Sequence, residues 1–149
     1  MITCTFAGHR EPLTTTDAMI IPDRLQAALE ELLKLDGQFH FRFGGMGWFD
    51  QQCARAVRSA KRLHPEKQMQ LTLVLPYPRK IEDADLYDEI HIPDEIRPLH
   101  CKAAIPARNR WLVEHSQYLI AYVARSSGGA AKTLECARER GLTIWNLAD

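Results

Sequence analysis

Short, almost wholly apolar segments alternate along this chain with stretches whose apolar residues recur every three or four positions. That switching between two periods restricts the fold more than any other feature. Residues 2–7 (ITCTFA) end at Gly8 and predict a buried strand. From 22 to 35, Leu25, Ala28, Leu29, Leu32 and Leu33 have helical spacing, with Asp36-Gly37 as the stop. Residues 39–43 predict a second strand closed by Gly44-Gly45. From 48 to 63, Cys53, Ala56, Val57 and Ala60 share one helical face, and Pro65 follows. Residues 69–75 predict a third strand, ended by Pro76-Tyr77-Pro78. The acidic stretch 79–104 predicts only a short helix at 82–87 and a short strand at 89–92. A helix over 106–115 with Pro106 near its first turn, a strand over 118–123, a helix over 129–140 and a strand over 142–145 complete the chain. Such alternation, with near-continuous apolar strands, predicts an α/β three-layer sandwich whose central sheet is mostly parallel and covered on both faces.

Neither a linker, nor an internal repeat, nor a low-complexity tract interrupts the pattern, so residues 1–149 read as one domain. Nineteen basic residues balance nineteen acidic ones, a total that argues against a polyanion-coating protein. No apolar run reaches the roughly 18 residues of a membrane span. Met1-Ile2-Thr3-Cys4 enters apolar sequence without a basic leader, which points to the cytoplasm. Cys4, Cys53, Cys101 and Cys136 are far apart, with no C-x-x-C or close Cys/His pairing, so neither a zinc site nor any other metal is expected. His91, His100 and His115 lack metal spacing. Arg55, Arg58 and Arg62 read first as a solvated helix face and second as a weak nucleic-acid surface, and Glu82, Asp83, Asp85, Asp88 and Glu89 as a wet surface.

In open parallel sheets, ligands bind beyond the carboxyl ends of the strands, where the strand order reverses. That rule selects Gly8-His9-Arg10, Gly44-Gly45-Met46-Gly47, Pro76-Tyr77 and Ser126-Ser127-Gly128-Gly129. Two of these turns are rich in glycine. A phosphate must come close to backbone N–H groups, a Cβ would block it, and the helix that follows adds unpaired donors and a partial positive charge. Ser127-Gly128-Gly129-Ala130, with Lys132 and Thr133 just beyond, has this character but is no Walker loop. One such turn would be explained by cheap turning alone; two at one edge favour an anionic or nucleotide ligand. Asp50, in the first turn after Gly47, suits the helix dipole. Near a ligand it would repel phosphate and accept hydrogen bonds from ribose hydroxyls, which puts the sugar at this second loop. Asn109 shares a helical face with Ile105, Leu112 and Val113, where an amide needs a partner: a neighbouring loop or a ligand. Arg108 beside it reads as a solvated residue or as a planar fork for phosphate or carboxylate. His9, placed directly after a buried strand, is either a strand-end cap or an acid/base near neutral pH.

Four segments together resemble a known family: Cys4-Thr5-Phe6-Ala7-Gly8-His9-Arg10, Phe43-Gly44-Gly45-Met46-Gly47-Trp48-Phe49-Asp50, Ala107-Arg108-Asn109-Arg110-Trp111-Leu112-Val113, and Gly128-Gly129-Ala130-Ala131-Lys132-Thr133 with Ala137. In this order, over nearly the whole chain, they are similar to the YpsA-like proteins of the superfamily that joins DNA-processing protein A with the Lonely Guy hydrolases (SLOG). The resemblance implies a Rossmann-like sheet, no separate cofactor, and a small nucleotide or nucleotide-derived ligand of the ADP-ribose or NAD kind. By matching positions it implies a site containing Gly8, Arg10, Gly44, Gly45, Asp50, Arg108, Asn109, Gly128, Gly129 and Thr133; His9, Gly47 and Ser127 join them from the same loops. Dimers are common among such proteins, so a homodimer is implied too, while the residues leave oligomeric state open. The chain departs from the pattern at Ala130, where Gly-Gly-Thr is usual. It departs again from the hydrolase motif Pro-Gly-Gly-x-Gly-Thr-x-x-Glu, with Ser127 for Pro, Ala131 for Gly and Lys132 for Thr; Glu135 keeps the Glu position. The leading expectation is a module that binds or senses such a ligand. The alternative is a hydrolase cleaving an N-glycosidic bond, for which Asp50 and Glu135 are the available acids. Single-stranded nucleic acid is a third reading, opposed by zero net charge and the lack of an evident aromatic platform.

Overall fold

The computed structural model describes residues 1–149. In chain order they form β1 (Ile2–Gly8), α1 (Thr15–Leu32), β2 (Phe39–Phe43), α2 (Trp48–Leu63), β3 (Met69–Val74), β4 (Glu89–His91), α3 (Cys101–Glu114), β5 (Tyr118–Tyr122), α4 (Gly129–Glu139) and β6 (Thr143–Asn146). The six strands lie in the order β4-β3-β2-β1-β5-β6, and every neighbouring pair is parallel. The chain adds strands outward from β1 to β4, and α3 then returns it to the far side of β1. The order therefore reverses between β1 and β5, and their register pairs Gly8 with Tyr122. The loops after both strands leave the same edge at this reversal.

Packing explains the layers. On one face Phe6, Phe39, Phe41 and Phe43 meet Ile21, Leu25, Leu29 and Leu32 of α1 and Phe49, Cys53 and Val57 of α2. Phe6 stacks on Phe43 with ring centroids 4.9 Å apart. Burying each such ring contributes about 1.5–3 kcal/mol. On the other face Ala7, Leu119, Ala121 and Val123 pack against Val113 of α3 and Leu134 and Ala137 of α4. The sandwich is thus Rossmann-like, with a sheet that is parallel throughout.

Several boundaries differ from the sequence expectation. Helix α1 starts at Thr15, ahead of Pro22, because Thr14 caps it: its Oγ1 accepts from the Asp17 N–H at 2.9 Å. Pro22 sits inside the helix. Helix α3 starts at Cys101 rather than at Pro106, with His100 as its cap, Nδ1 accepting from the Lys102 N–H at 3.2 Å. The helix expected at 82–87 is a single 3₁₀ turn, Ala84–Leu86. Nor is the second sheet face apolar everywhere. Strand β2 alternates, Phe39, Phe41 and Phe43 pointing one way and His40 and Arg42 the other. There His40 Nε2 meets Thr72 Oγ1 at 2.8 Å, and the Arg42 guanidinium lies 5.6 Å from the centre of the Trp111 ring. All four cysteines are free thiols; Cys4 and Cys53 lie in the core. No helix is long and apolar enough to cross a membrane.

Candidate functional site

A cleft of about 780 Å³ opens at the β1/β5 reversal. Its walls come from the loop after β1, the β2–α2 turn, the inner side of α3, and the β5–α4 loop with the start of α4. Of the residues singled out from the sequence, Gly8, His9, Arg10, Gly44, Asp50, Arg108, Asn109, Ser127, Gly128, Gly129 and Thr133 line it. Gly45, Gly47 and Glu135 do not. Glu135 points outward on α4, exposed and 3.6 Å from Arg138, so it is not available to chemistry in the cleft.

The two glycine-rich corners do converge here, but only one is open. At Gly128 (φ +99°) and at Gly129, an added Cβ would meet nothing within 4 Å. At Gly44 it would lie 3.3 Å from both Arg108 Cζ and Asp50 Oδ2. At Gly45 it would lie 2.4 Å from Leu73 Cδ1, and at Gly47 2.6 Å from the Arg10 backbone. Gly8 is similar, since its Cβ would fall 2.3 Å from the Phe49 ring. The expectation that both corners present bare backbone to one anion is therefore corrected. Glycines at β1 and β2 admit the protein's own side chains, and only Gly128-Gly129 leaves its backbone approachable. No side chain caps α4, so the N–H groups of its first turn have no side-chain acceptor.

Arg108 has a different part from the one its sequence position suggests. Only 2% exposed, it donates from Nη1 to the carbonyls of Gly44 and Val74, both at 2.9 Å, and from Nε to Asn109 Oδ1 at 2.9 Å. Burial pulls its pKa down to about 10. The guanidinium is a strut between α3 and the ends of β2 and β3, with most of its donors spent. The buried stripe of α3 is Ala104, Arg108 and Leu112, four residues apart, so it is the arginine and not Asn109 that faces the core. Asn109 lines the cleft; its Oδ1 is occupied by Arg108, and its amide nitrogen makes no hydrogen bond within the protein.

Asp50 lies beneath the closed corner, Oδ2 accepting from the Met46 N–H at 3.0 Å. Surrounding protein pushes its carboxyl up to about 6; the Met46 bond and the cations Arg108 and Arg10 pull the other way and do not prevail. His9 Nε2 accepts from the Ala124 N–H at 3.0 Å. A ring nitrogen that accepts is unprotonated, so His9 is neutral in this state, and burial followed by Arg125 holds its pKa below the usual value. Thr133 donates its hydroxyl to Gly129 O at 3.0 Å.

Two exposed cations, Arg10 and Arg125, line the cleft and make no ion pair. Sequence reasoning found the first and missed the second, although Arg125 immediately precedes the Ser126-Ser127-Gly128-Gly129 turn; that adjacency was the available signal. Tyr122 was missed as well. Its hydroxyl donates to Asp17 at 2.6 Å and accepts from the Leu13 N–H at 2.9 Å, which pins the loop after β1 over the sheet edge. No three His, Cys, Asp or Glu side chains gather as a metal-binding group.

Comparison with known proteins bears on this arrangement. No protein-family model matches the chain. It is 22% identical over 148 residues to the SPbeta prophage-derived protein YoqJ of Bacillus subtilis (strain 168), covering 85% of this chain and 86% of that one. The crystal structure of TM1055, a structural-genomics target, superposes with a TM-score of 0.65 at 13% identity over 97% of this chain and 72% of its own. DNA processing protein A from Streptococcus pneumoniae gives 0.64 at 19% identity over 96% of this chain, which spans only 49% of that protein. The Helicobacter pylori protein, whose structure was described for its single-stranded DNA binding mode, gives 0.60 at 15% identity, over 96% and 63% of the two chains. The fold is similar to that of DNA processing protein A, a Rossmann-like parallel sandwich.

Proposed function

We propose that the cleft binds a small phosphate-bearing, nucleotide-derived molecule of the ADP-ribose or NAD kind. The observation that carries this reading is the pairing of an open Gly128-Gly129 turn at the uncapped start of α4 with two unpaired cations, Arg10 and Arg125, in one cleft. Backbone donors at a helix start and unpaired guanidinium groups are the chemistry that recognises phosphate. Asp50 and Asn109 line the same cleft, and a carboxyl group and a side-chain amide suit hydroxyls of a sugar rather than a second phosphate. A volume of about 780 Å³ lies within the range of pockets that enclose molecules of this size.

The activity favoured is binding rather than hydrolysis. Of the two acids available for N-glycosidic cleavage, Glu135 stands outside the cleft, which leaves Asp50 without it. Free thiols throughout are in keeping with a cytoplasmic protein. A thermal-shift panel of AMP, ADP-ribose, NAD and cyclic nucleotides tests the proposal, because a ligand of the native state raises the midpoint by mass action. Stabilisation without release of free base is expected; no shift from any member sinks the reading.

A second reading, single-stranded DNA, draws on the fold shared with the Helicobacter pylori protein. It requires retention of oligonucleotides that weakens steeply with salt. The same panel run against a short oligonucleotide separates the two.

A further inference from the structure

Segment 123–128, which carries Arg125 and delivers the chain to the open Gly128-Gly129 turn, is thinly tethered. Val123 is held at both its N–H and its carbonyl by the Asn146 side chain, at 3.1 and 2.9 Å. Gly128 is held through its carbonyl, which accepts from the Lys132 N–H at 3.1 Å. Between those two anchors the segment makes one hydrogen bond, from the Ala124 N–H to His9 Nε2. That bond crosses from one wall of the cleft to the other, since His9 belongs to the loop after β1. The histidine is itself well seated. Its ring meets Tyr122 edge-on with centroids 5.0 Å apart, and the Tyr122 hydroxyl is fixed by Asp17 and Leu13.

We propose that His9 is a proton-sensitive latch on the cleft: the neutral ring holds the β5–α4 segment closed at Ala124, and proton capture releases it. The chemistry is direct. A backbone N–H can only donate, so Nε2 must present its lone pair; once protonated, it sets a donor against a donor. The charges around the ring set where this happens. Arg125 on the latched segment disfavours the imidazolium, Asp17 on α1 favours it, and burial works against it more than either charge. Tyr122 from β5 and Trp48 and Phe49 of α2, both in contact with the Tyr122 ring, are uncharged on this side. On the histidine's own loop, Arg10 and Glu11 are of opposite sign. Capture of the proton therefore falls below the ordinary histidine range.

This inference regulates the cleft proposed above and rests on that reading for its consequence, which is faster exit of a bound anion once the Arg125 wall is free. Its test needs no ligand, so failure of the latch and failure of the binding proposal are told apart. The ¹⁵N resonances of the Ala124 amide and the His9 ring are followed in the ligand-free protein from neutral to acid pH, together with hydrogen exchange at Ala124. The Ala124 amide is expected to move with the His9 midpoint, and its intrinsic-rate-corrected exchange to quicken by up to about tenfold as the ring charges. In His9→Gln, where an amide oxygen can accept but does not titrate, that dependence should vanish. An Ala124 amide indifferent to His9 protonation, or a His9→Gln protein with an unaltered titration, overturns the proposal.

Discussion

The Arg108 guanidinium is bonded to the Gly44 carbonyl at 2.9 Å and simultaneously to the Val74 carbonyl, so α3 is bolted to the carboxyl ends of two adjacent strands. Both bonds leave one nitrogen, Nη1, while Nε holds Asn109 Oδ1; a lysine ammonium has no second nitrogen for that third contact, and an aliphatic chain has no donor at all. Replacing it by alanine leaves two carbonyls and the Asn109 oxygen without the donors they now have. Arg108→Ala is expected to lower the unfolding free energy by about 3 kcal/mol, and Arg108→Lys to recover only part of that. Urea denaturation of the ligand-free protein measures it. A variant with unchanged stability would return Arg108 to the role of a free phosphate fork.

Asp50 introduces a pH dependence whose sign follows from its direction of shift. Its carboxyl titrates near 6 in the native protein and near 3.8 in the unfolded chain. Between those values the native state holds the extra proton, so stability falls as pH rises through this window and levels off above it. The shift corresponds to at most about 3 kcal/mol of destabilisation at neutral pH. Asp50→Asn should flatten the curve between pH 4 and 6 and leave the variant more stable than the parent at pH 7, with little difference below pH 4. Equilibrium unfolding at a series of pH values checks this; parallel curves for both proteins would mean that the carboxyl is not buried as described.

The glycines separate cleanly by what their missing side chains admit. Gly8→Ala places a methyl group 2.3 Å from the Phe49 ring and should destabilise the fold by about 1–3 kcal/mol through overpacking. Gly129→Ala meets open space at the start of α4 and should leave stability within about 0.5 kcal/mol, or raise it slightly by stiffening the unfolded chain. If the cleft takes phosphate, the same alanine crowds the approach to the backbone and weakens ADP-ribose binding. Denaturation midpoints beside binding curves distinguish these outcomes, and equal destabilisation by both substitutions would erase the contrast.

Layer order and edge were legible because they depend on patterns that survive in one dimension. Apolar runs such as 118–123 against helical spacing such as Cys53, Ala56, Val57 and Ala60 specify a parallel sandwich, and strand-to-helix turns specify its working edge. The misreadings lie where a local signal was outweighed by a distant partner. Pro22 and Pro106 look like helix starts, yet Thr14 and His100 cap α1 and α3 earlier, and each helix accommodates its proline. The FHFRF alternation of β2 was visible as period two but was absorbed into an apolar reading; His40 and Arg42 show its meaning only beside Thr72 and Trp111. Glycine is the most ambiguous letter. Gly44 and Gly128 look alike in the sequence, and only the approach of Arg108 and Leu73 from remote elements, with Asp50 from the helix that follows, decides that one corner is filled and the other open.

Arg10 and Arg125 make the sharpest test of the cleft, because neither supports the fold. Both are exposed and neither is bonded through its guanidinium to any protein group, so truncation removes charge without opening a cavity. Arg10→Ala and Arg125→Ala should each leave the unfolding free energy within about 0.5 kcal/mol of the parent. If they flank the phosphates, each should weaken ADP-ribose binding by about tenfold, the scale of one charge-assisted contact, and the double variant by more than either. Added salt should narrow the gap between parent and variants, since exposed charges are screened within about 10 Å at 0.1 M. Titration calorimetry at two ionic strengths reads the affinities and their salt dependence, and urea denaturation reads the stabilities. Affinity unmoved by the double variant would show that the anion end of the cleft has been assigned to the wrong wall.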